Sequence, residues 1–392
     1  MKLQNGGKEQ EQFKLYQGDM LNILDTFEAE SVDVIITDPP YELNFMSKGW
    51  DNAGVSFQPE TWSKCLRVLK PGGYLLAFGG SRTFHRIACA IEDAGFEIRD
   101  CVMWLYGSGF PKSMNIEKSI NKRDGVEFKS KPAKGVGFMN ANDGWHNTLN
   151  QLEQIGESSN RFKNWKGWGT ALKPSYEPII VARKPFKGSL VDNVMKHGVG
   201  GINIDECRIP ADDLEKCYRK PTEYNDISPI APMNTAKIRG SMSKDYLKGR
   251  FPANTILDTQ DGEEWRRYFY CSKASKKDRD EGLEEFMEDT TDDGRNKPID
   301  NPYLRGKTMR HNIHPTVKPT SLMQYLIKLV APKGAVILDP FMGSGSTGKA
   351  VMYENKERDA NYKFIGIEKD AEYCKIAKAR IEFVTISEVK NR

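Results

Sequence analysis

The stretch AVILDPFMGSGSTG, residues 335–348, decides the fold: an apolar run stops at Asp339 and Pro340, glycines follow at 343, 345 and 348, and a helix-compatible segment begins directly behind them. A strand that feeds a glycine turn and then a helix is the βα unit of an open α/β sheet, in which the helix N-terminus offers free N–H groups and positive dipole to a ligand. Glycine lets the backbone come close to that ligand. A further strand is expected at Tyr362 to Ile367, and Glu368 at its end is placed to accept hydrogen bonds from a ribose diol.

Three ligands compete for this turn. Gly343, Gly345 and Gly348 satisfy the dinucleotide pattern G-x-G-x-x-G, which is weak alone. Gly343 to Lys349 matches G-x-x-x-x-G-K, but Ala350 stands where a P-loop needs a hydroxyl for Mg²⁺. Asp339 at the mouth would repel phosphates and suits the ammonium of an amino-acid moiety, which S-adenosylmethionine carries.

Upstream of the glycine turn, Leu322, Met323, Leu326, Ile327 and Val330 give a helix from Thr320 to Val330 an apolar face. Near the other end of the chain, Val32 to Ile36 reads as a strand buried on both faces, stopped by Asp38, Pro39 and Pro40. A helix from Pro59 to Leu69 follows and is ended by Pro71, Gly72 and Gly73; next come a strand at Tyr74 to Phe78, a helix at Thr83 to Ala94 with Phe84, Ile87, Ala88 and Ile91 inward, and a strand at Phe96 to Trp104. This is βαβαβ alternation.

A Gly- and Lys-rich stretch at about 106–169 interrupts the rhythm as an insertion, and Tyr176 to Ala182 restores one strand. Residues 186–310 are irregular, with turn signals and a charged run from Lys273 to Asp300 that lacks apolar periodicity. Each α/β half is short, so a single doubly wound, mostly parallel sheet would bury both better than two domains. The expected organisation is residues 1–185 as one half, 186–310 as a separate module, and 311–392 as the other half of the same sheet.

At 392 residues with 38% hydrophobic content, the chain can bury one large core and a second module. Met1 to Lys14 is polar and charged, and no stretch approaches the roughly 18 apolar residues of a membrane span, so an unexported protein that does not enter the membrane is expected. The seven cysteines (65, 89, 101, 207, 217, 271, 374) show no Cys-x-x-Cys spacing, which argues against a disulfide framework or a zinc site. A formal charge of +4 tolerates a polyanionic partner without demanding one.

Asp38, Pro39, Pro40 and Tyr41 leave a buried strand where open α/β sheets place ligands, beyond the carboxyl end. Their chemistry suits an exocyclic amino group, whose lone pair is delocalised into its ring. Acceptors for its protons, here the Asp38 carboxylate and the Pro39 carbonyl, would localise that pair, while Tyr41 offers a face for an unstacked base. Alone, D-P-P-Y also fits an ordinary strand-ending turn. Methylation at cytosine C5 would need a cysteine nucleophile, and the chain has no Pro-Cys pair.

Together, Asp38 to Tyr41 and Asp339 to Gly345 resemble the motif pair of DNA amino-methyltransferases, and their order, catalytic motif first, is similar to the β class. Leu15 to Asp19, Lys173 to Pro185 and His314 to Pro319 resemble that family too. The resemblance implies a circularly permuted, Rossmann-like methyltransferase fold and S-adenosylmethionine as cofactor. It implies Asp19 near the cofactor's adenine, Glu368 on its ribose, Thr316 and Lys318 near its methionine end, and Asp339, Pro340, Phe341, Gly343, Ser344, Gly345 and Thr347 in the cofactor turn. Without it, His311 and His314 read as a surface pair, and no third ligand is in view for a metal.

The resemblance further implies that residues 186–310 form a target-recognition module for double-stranded DNA, the sheet acting on a flipped base. Arg183, Lys184, Lys187, Lys248 and Arg250 are candidate DNA contacts, and Arg161, Lys163, Trp165, Lys166 and Trp168 interleave charge with aromatics. The acidic D-P-P-Y form favours N6 of adenine. N4 of cytosine is the near alternative, a DNA-binding regulator with a vestigial site a more distant one, and rRNA guanine or protein glutamine substrates a third, disfavoured by the large module. The expected setting is the cytoplasm of a bacterial or phage-infected cell; a homodimer and a cognate restriction enzyme are compatible with it.

Overall fold

Val32–Thr37 buries every one of its six residues, and a strand with no face for water is stable only between two others. In the computed structural model it lies near the middle of an eight-stranded sheet. The structure describes residues 12–43, 54–106, 113–124, 164–209, 249–257, 273–290 and 309–387, with the backbone alone of four strands between 127 and 155.

The chain begins β1 (Phe13–Gln17), α1 (Met20–Asp25), β2 (Val32–Thr37), α2 (Pro59–Val68), β3 (Leu69–Phe78), α3 (Phe84–Asp93) and β4 (Glu97–Leu105). It continues through α4 (Ile116–Arg123), β5 (Glu127–Pro132), β6 (Gly137–Asn140), β7 (Gly144–Asn147), β8 (Asn150–Ile155), β9 (Tyr176–Arg183), α5 (Leu190–His197) and β10 (Thr255–Leu257). Then come α6 (Lys276–Asp280), β11 (Asp289–Thr290), β12 (Met309–Arg310), α7 (Thr320–Val330), β13 (Val336–Asp339), α8 (Ser346–Arg358), β14 (Lys363–Glu368) and α9 (Ala371–Ile386).

The sheet runs β1-β14-β13-β2-β3-β9-β4-β10, and β9 alone is antiparallel to its neighbours. After β2 the chain moves outward to β3, whereas after the adjacent β13 it moves the other way to β14. That divergence opens a crevice at the carboxyl ends of β13 and β2, the switch point at which open α/β sheets bind ligands. The expected α/β sheet built from both ends of the chain is borne out.

Helices cover both faces. On one, Leu322, Met323, Leu326, Ile327 and Val330 of α7 and Ile381 and Val384 of α9 pack on Val34, Ile36, Leu76 and Ile337. On the other, Leu24 of α1, Trp62, Cys65 and Val68 of α2, and Ile87, Ala90 and Ile91 of α3 pack on Val32, Ile35, Leu75 and Leu338. Each fully buried aliphatic side chain here contributes about 1.5–3 kcal/mol over exposure, an upper bound for a compact unfolded chain.

Two local expectations change. The helix expected to reach Leu69 and the strand expected from Tyr74 share a different boundary: Leu69, wholly buried, already starts β3, and the strand runs through Pro71, Gly72 and Gly73 with a register shift opposite Val32/Val34. A Cβ on Gly73 would stand 2.8 Å from the Asp33 carbonyl, so the strand passes there only without a side chain. The charged run after Lys273 contains α6, which has no buried residue and is tied to the core by ion pairs instead of an apolar stripe. Within 186–310, α5, β10 and α6 all belong to the unit that holds the eight-stranded sheet.

Contacts divide the chain into two compact units, the second built mainly from residues 108–175. In that unit Asn115 caps α4 through Lys118 N–H, β5 pairs antiparallel with β8 and β6 with β7, and Trp165 and Trp168 meet edge to face at 5.2 Å. Arg161 and Lys163 lie outside the described residues. Among the described residues no helix is long and apolar enough to cross a membrane.

Candidate active site

The two turns that the sequence singles out meet. β13 pairs with β2 through Ile337 with Val34 and Leu338 with Ile35, so the segments after Asp339 and after Thr37 emerge side by side. The Thr37 hydroxyl donates to Asp339 Oδ1 across 2.7 Å, the Thr347 hydroxyl to Oδ2 across 2.6 Å, and Phe341 N–H to Oδ1 across 3.1 Å. Asp339 is thereby turned into the protein, 2% exposed, and ties the start of one turn to the end of the neighbouring strand.

Burial pushes the Asp339 carboxyl up to about 7, against the pull of those three donors. The folded protein therefore holds a proton that the unfolded chain has lost, and through this group stability falls as pH rises from about 4 to about 7. Denaturant unfolding across roughly pH 5–7 is expected to show a shallower loss in Asp339→Asn than in the parent. Equal slopes would mean that the carboxylate is ionised throughout.

The glycine turn is shaped by its neighbours. Gly343 and Gly345 adopt φ of +53° and +78°, and a Cβ at 345 would meet Ala377 of α9 at 2.9 Å. Gly343 N–H donates to Glu368 Oε2 and Asp370 N–H to Oε1, both at 2.8 Å, and burial raises the Glu368 carboxyl. Arg380, wholly buried on α9, donates to the Ser344 carbonyl at 2.6 Å and its hydroxyl at 3.1 Å. Phe341 packs on Trp62 with ring centroids 6.4 Å apart, behind Pro340. Asp19, at the end of β1 beside Glu368, caps α1 through Leu21 N–H and meets Lys369 at 3.0 Å; despite the opposing effect of burial these contacts hold its carboxyl below the usual range.

On the other side of the crevice, Asp38 Oδ2 accepts from Lys318 Nζ at 2.5 Å. Lys318 also lies 3.4 Å from Glu177 Oε2 and over the rings of Tyr41 and Phe78, at 5.4 and 4.9 Å. The Tyr41 hydroxyl donates to Glu177 Oε2 at 3.2 Å. Among the described residues Asp38 Oδ1 is buried without a hydrogen-bonded donor, the Tyr41 hydroxyl standing close by. Burial raises the Asp38 carboxyl, Lys318 opposes that rise, and Glu177 adds to it. The Pro40 carbonyl accepts from the Ser56 hydroxyl at 2.6 Å.

Thr316 follows His314, whose Nδ1 lies 3.1 Å from the Thr316 carbonyl. His314 is half-buried instead of lying open on the surface: its ring meets Tyr373 at 4.6 Å, and a Cβ on Gly343 would come within 2.9 Å of its Nε2. Burial first, then the charge of Lys318, pushes its pKa down to about 3, so the ring is neutral beside the glycine turn. His311 is elsewhere engaged, with Nδ1 on the Phe286 carbonyl.

The expected DNA contacts are not gathered at this crevice. Because β9 is antiparallel, Arg183 pairs with Tyr74, midway along β3, and with Glu97 at the start of β4, roughly 20 Å along β9 from its crevice end. Its guanidinium meets Glu97 at 2.7 Å, and Lys184 Nζ donates to the Leu69 carbonyl at 2.7 Å. Lys187 is exposed just beyond them. The Arg250 backbone pairs with Ile209, before β10. Lys248 lies outside the described residues.

Three residues escape a sequence reading. Thr37 carries no motif; Glu177 is polar at the start of an apolar strand, a common place for a solvated charge; Arg380 belongs to a basic-looking helix. Lys349, which completes the P-loop-like spacing, has its Nζ on Asp278 Oδ1 and Glu281 Oε2, each at 2.8 Å, with 0% exposure. Its ammonium is spent within the protein, which removes the triphosphate reading of the glycine turn.

A family model described as DNA methylase, for N6 and N4 methyltransferases, matches residues 32–379. The chain is 24% identical over 326 residues to type II methyltransferase M.HindIII of Haemophilus influenzae, covering 82% of this chain and 67% of that protein. It is 22% identical to type II methyltransferase M.HpaI of Haemophilus parainfluenzae, covering 94% and 74%. The solved PvuII DNA methyltransferase (cytosine-N4-specific) aligns over 94% of this chain and 86% of its own, at 14% identity and a TM-score of 0.45.

Proposed function

The chain belongs to the DNA methylase family of N6 and N4 methyltransferases, and from that premise we propose that it methylates N6 of adenine at specific sites in double-stranded DNA. The observation that carries this reading is Asp38 Oδ1, a buried acceptor without a hydrogen-bonded donor among the described residues. Leaving such an atom unmet costs about 1–3 kcal/mol, so it persists for a reason. An exocyclic amino N–H is the donor it fits.

S-adenosylmethionine supplies, when bound, an electrophilic methyl on a sulfonium. The glycine turn fits it: Gly343 and Gly345 hold a left-handed path, Arg380 fixes the Ser344 carbonyl, and the first turn of α8 faces the crevice end of β13. Asp19 would hold the adenine end, Glu368 the ribose through the second lone pairs of its two oxygens, and Thr316 with Pro340, Phe341 and Thr347 the methionine end. Asp339 is turned into the protein by its three donors and is 2% exposed, so its part is to bind the two turns together. Lys318 serves the target side.

Asp38 and the Pro39 carbonyl accept the two amino protons and so localise the nitrogen lone pair toward the methyl. Tyr41 stacks on the flipped base. The 186–310 stretch reads the target sequence. The acidic D-P-P-Y form supports adenine over cytosine. Unmodified duplex DNA incubated with labelled cofactor, digested and analysed by mass spectrometry, is expected to yield N6-methyladenine. N4-methylcytosine would overturn the choice of base, and tight DNA binding without label would favour a regulator with a vestigial site. Label in RNA or protein alone would remove DNA as substrate.

A further inference from the structure

Asp38 Oδ1 is shut off from solvent as well as unpaired, so an amine reaches it only when a covering side chain gives way. Two donors compete for this carboxylate. Lys318 holds Oδ2 at 2.5 Å, and the Tyr41 hydroxyl stands close enough to lower Asp38 by hydrogen bonding. Both have the same second acceptor, Glu177 Oε2, at 3.4 Å from Lys318 Nζ and 3.2 Å from the Tyr41 hydroxyl. Glu177 is held at this end by β9, where Trp104 is its partner across the sheet.

We propose that Glu177 is a positioning residue of the transfer step: by accepting from Tyr41 it draws that hydroxyl off Asp38 Oδ1, and by attracting Lys318, which stays on Oδ2, it keeps Oδ1 free of a competing donor for the target amine. This rests on the methyl-transfer reading of the crevice. With Glu177 neutral, its hold on Tyr41 weakens, and a hydroxyl beside a buried, ionised acceptor with no donor closes onto it. The amine then has to displace a charge-assisted hydrogen bond. The Glu177 charge also holds the Asp38 carboxyl up, so its loss lets that carboxyl ionise at lower pH.

The test measures single-turnover methyl transfer to duplex DNA, with cofactor affinity determined separately. Glu177→Gln is expected to slow transfer roughly ten- to a hundredfold, the weight of one hydrogen bond to a charged acceptor, with cofactor affinity unchanged. The acid limb of its pH-rate profile should move to lower pH. Adding Tyr41→Phe, which keeps the ring but removes the competing hydroxyl, should recover much of the loss, so that the double variant is faster than Glu177→Gln alone. Should the glutamine variant not fold, Glu177→Asp, with a shorter reach to Tyr41, gives the same comparison with and without Tyr41→Phe. Parental rates in the single variant, or a double variant no faster than it, would overturn the inference. A parent chain that transfers no label to any DNA would instead sink the reading on which it rests.

Discussion

Asp38→Ala is expected to bind S-adenosylmethionine as the parent does and to lose methyl transfer by a factor of at least about 10²–10³, the weight of one preorganised group aimed at developing charge. Most of the residues assigned to the cofactor leave β13, β14 and β1, with Thr316 ahead of α7. Removing Asp38 leaves the Lys318 ammonium with Glu177 at 3.4 Å as its remaining partner, an attraction that keeps it from the vacated space. Asp38→Asn keeps an acceptor oxygen and is expected to retain more activity than alanine. Label transfer and calorimetric cofactor binding on the same preparations check both. An alanine variant that transfers at the parent's rate would end the assignment of Asp38 as the acceptor.

Lys349→Met is expected to destabilise the fold by about 3–5 kcal/mol, because it removes one partner from a buried ionic cluster and leaves the rest uncompensated. Lys349 answers Asp278 and Glu281 together, Asp278 also accepts from Thr320 N–H at 3.0 Å, and its carbonyl receives Arg380 at 3.0 Å. Burial lowers the Lys349 ammonium, whereas the pull of Lys349 holds the Asp278 carboxyl below its usual value despite burial. The cluster joins α6 to the helices on either side of the glycine turn. Denaturant unfolding reads the loss, and a midpoint equal to the parent's would show the cluster to be dispensable. Since Arg380 also fixes Ser344, cofactor affinity should weaken with stability.

The central strands are legible because burial on both faces writes itself as an unbroken apolar run: Val32 to Ile36 and Ala335 to Leu338 need no other signal. The glycine and proline turns are legible because φ restrictions choose the residues. What sequence hides is direction. Arg183 and Lys184 look like phosphate contacts until β9 proves antiparallel, which carries them to the far edge and sets Glu177 at the crevice instead. Buried charge is equally silent: α6 folds onto the core through Asp278, with Lys349 and Arg380 as partners, and ion pairs leave no periodicity. Leu69 reads as the end of a helix because proline and two glycines follow, yet the strand runs through them where a bulge and a missing Cβ permit it. His314 hides similarly, its burial supplied by Tyr373 and Gly343 from distant parts of the chain.

The pairing of β2 with β13 has a consequence for synthesis. Thr37 and Asp339 are separated by 302 positions, and β1 waits still longer for β14. A ribosome working at about 5–20 residues per second leaves one flank of β2 bare for roughly 15–60 s. During that interval an apolar strand lacks its neighbour, and the nascent polypeptide depends on chaperones or on provisional shielding until its final third arrives to close the gap.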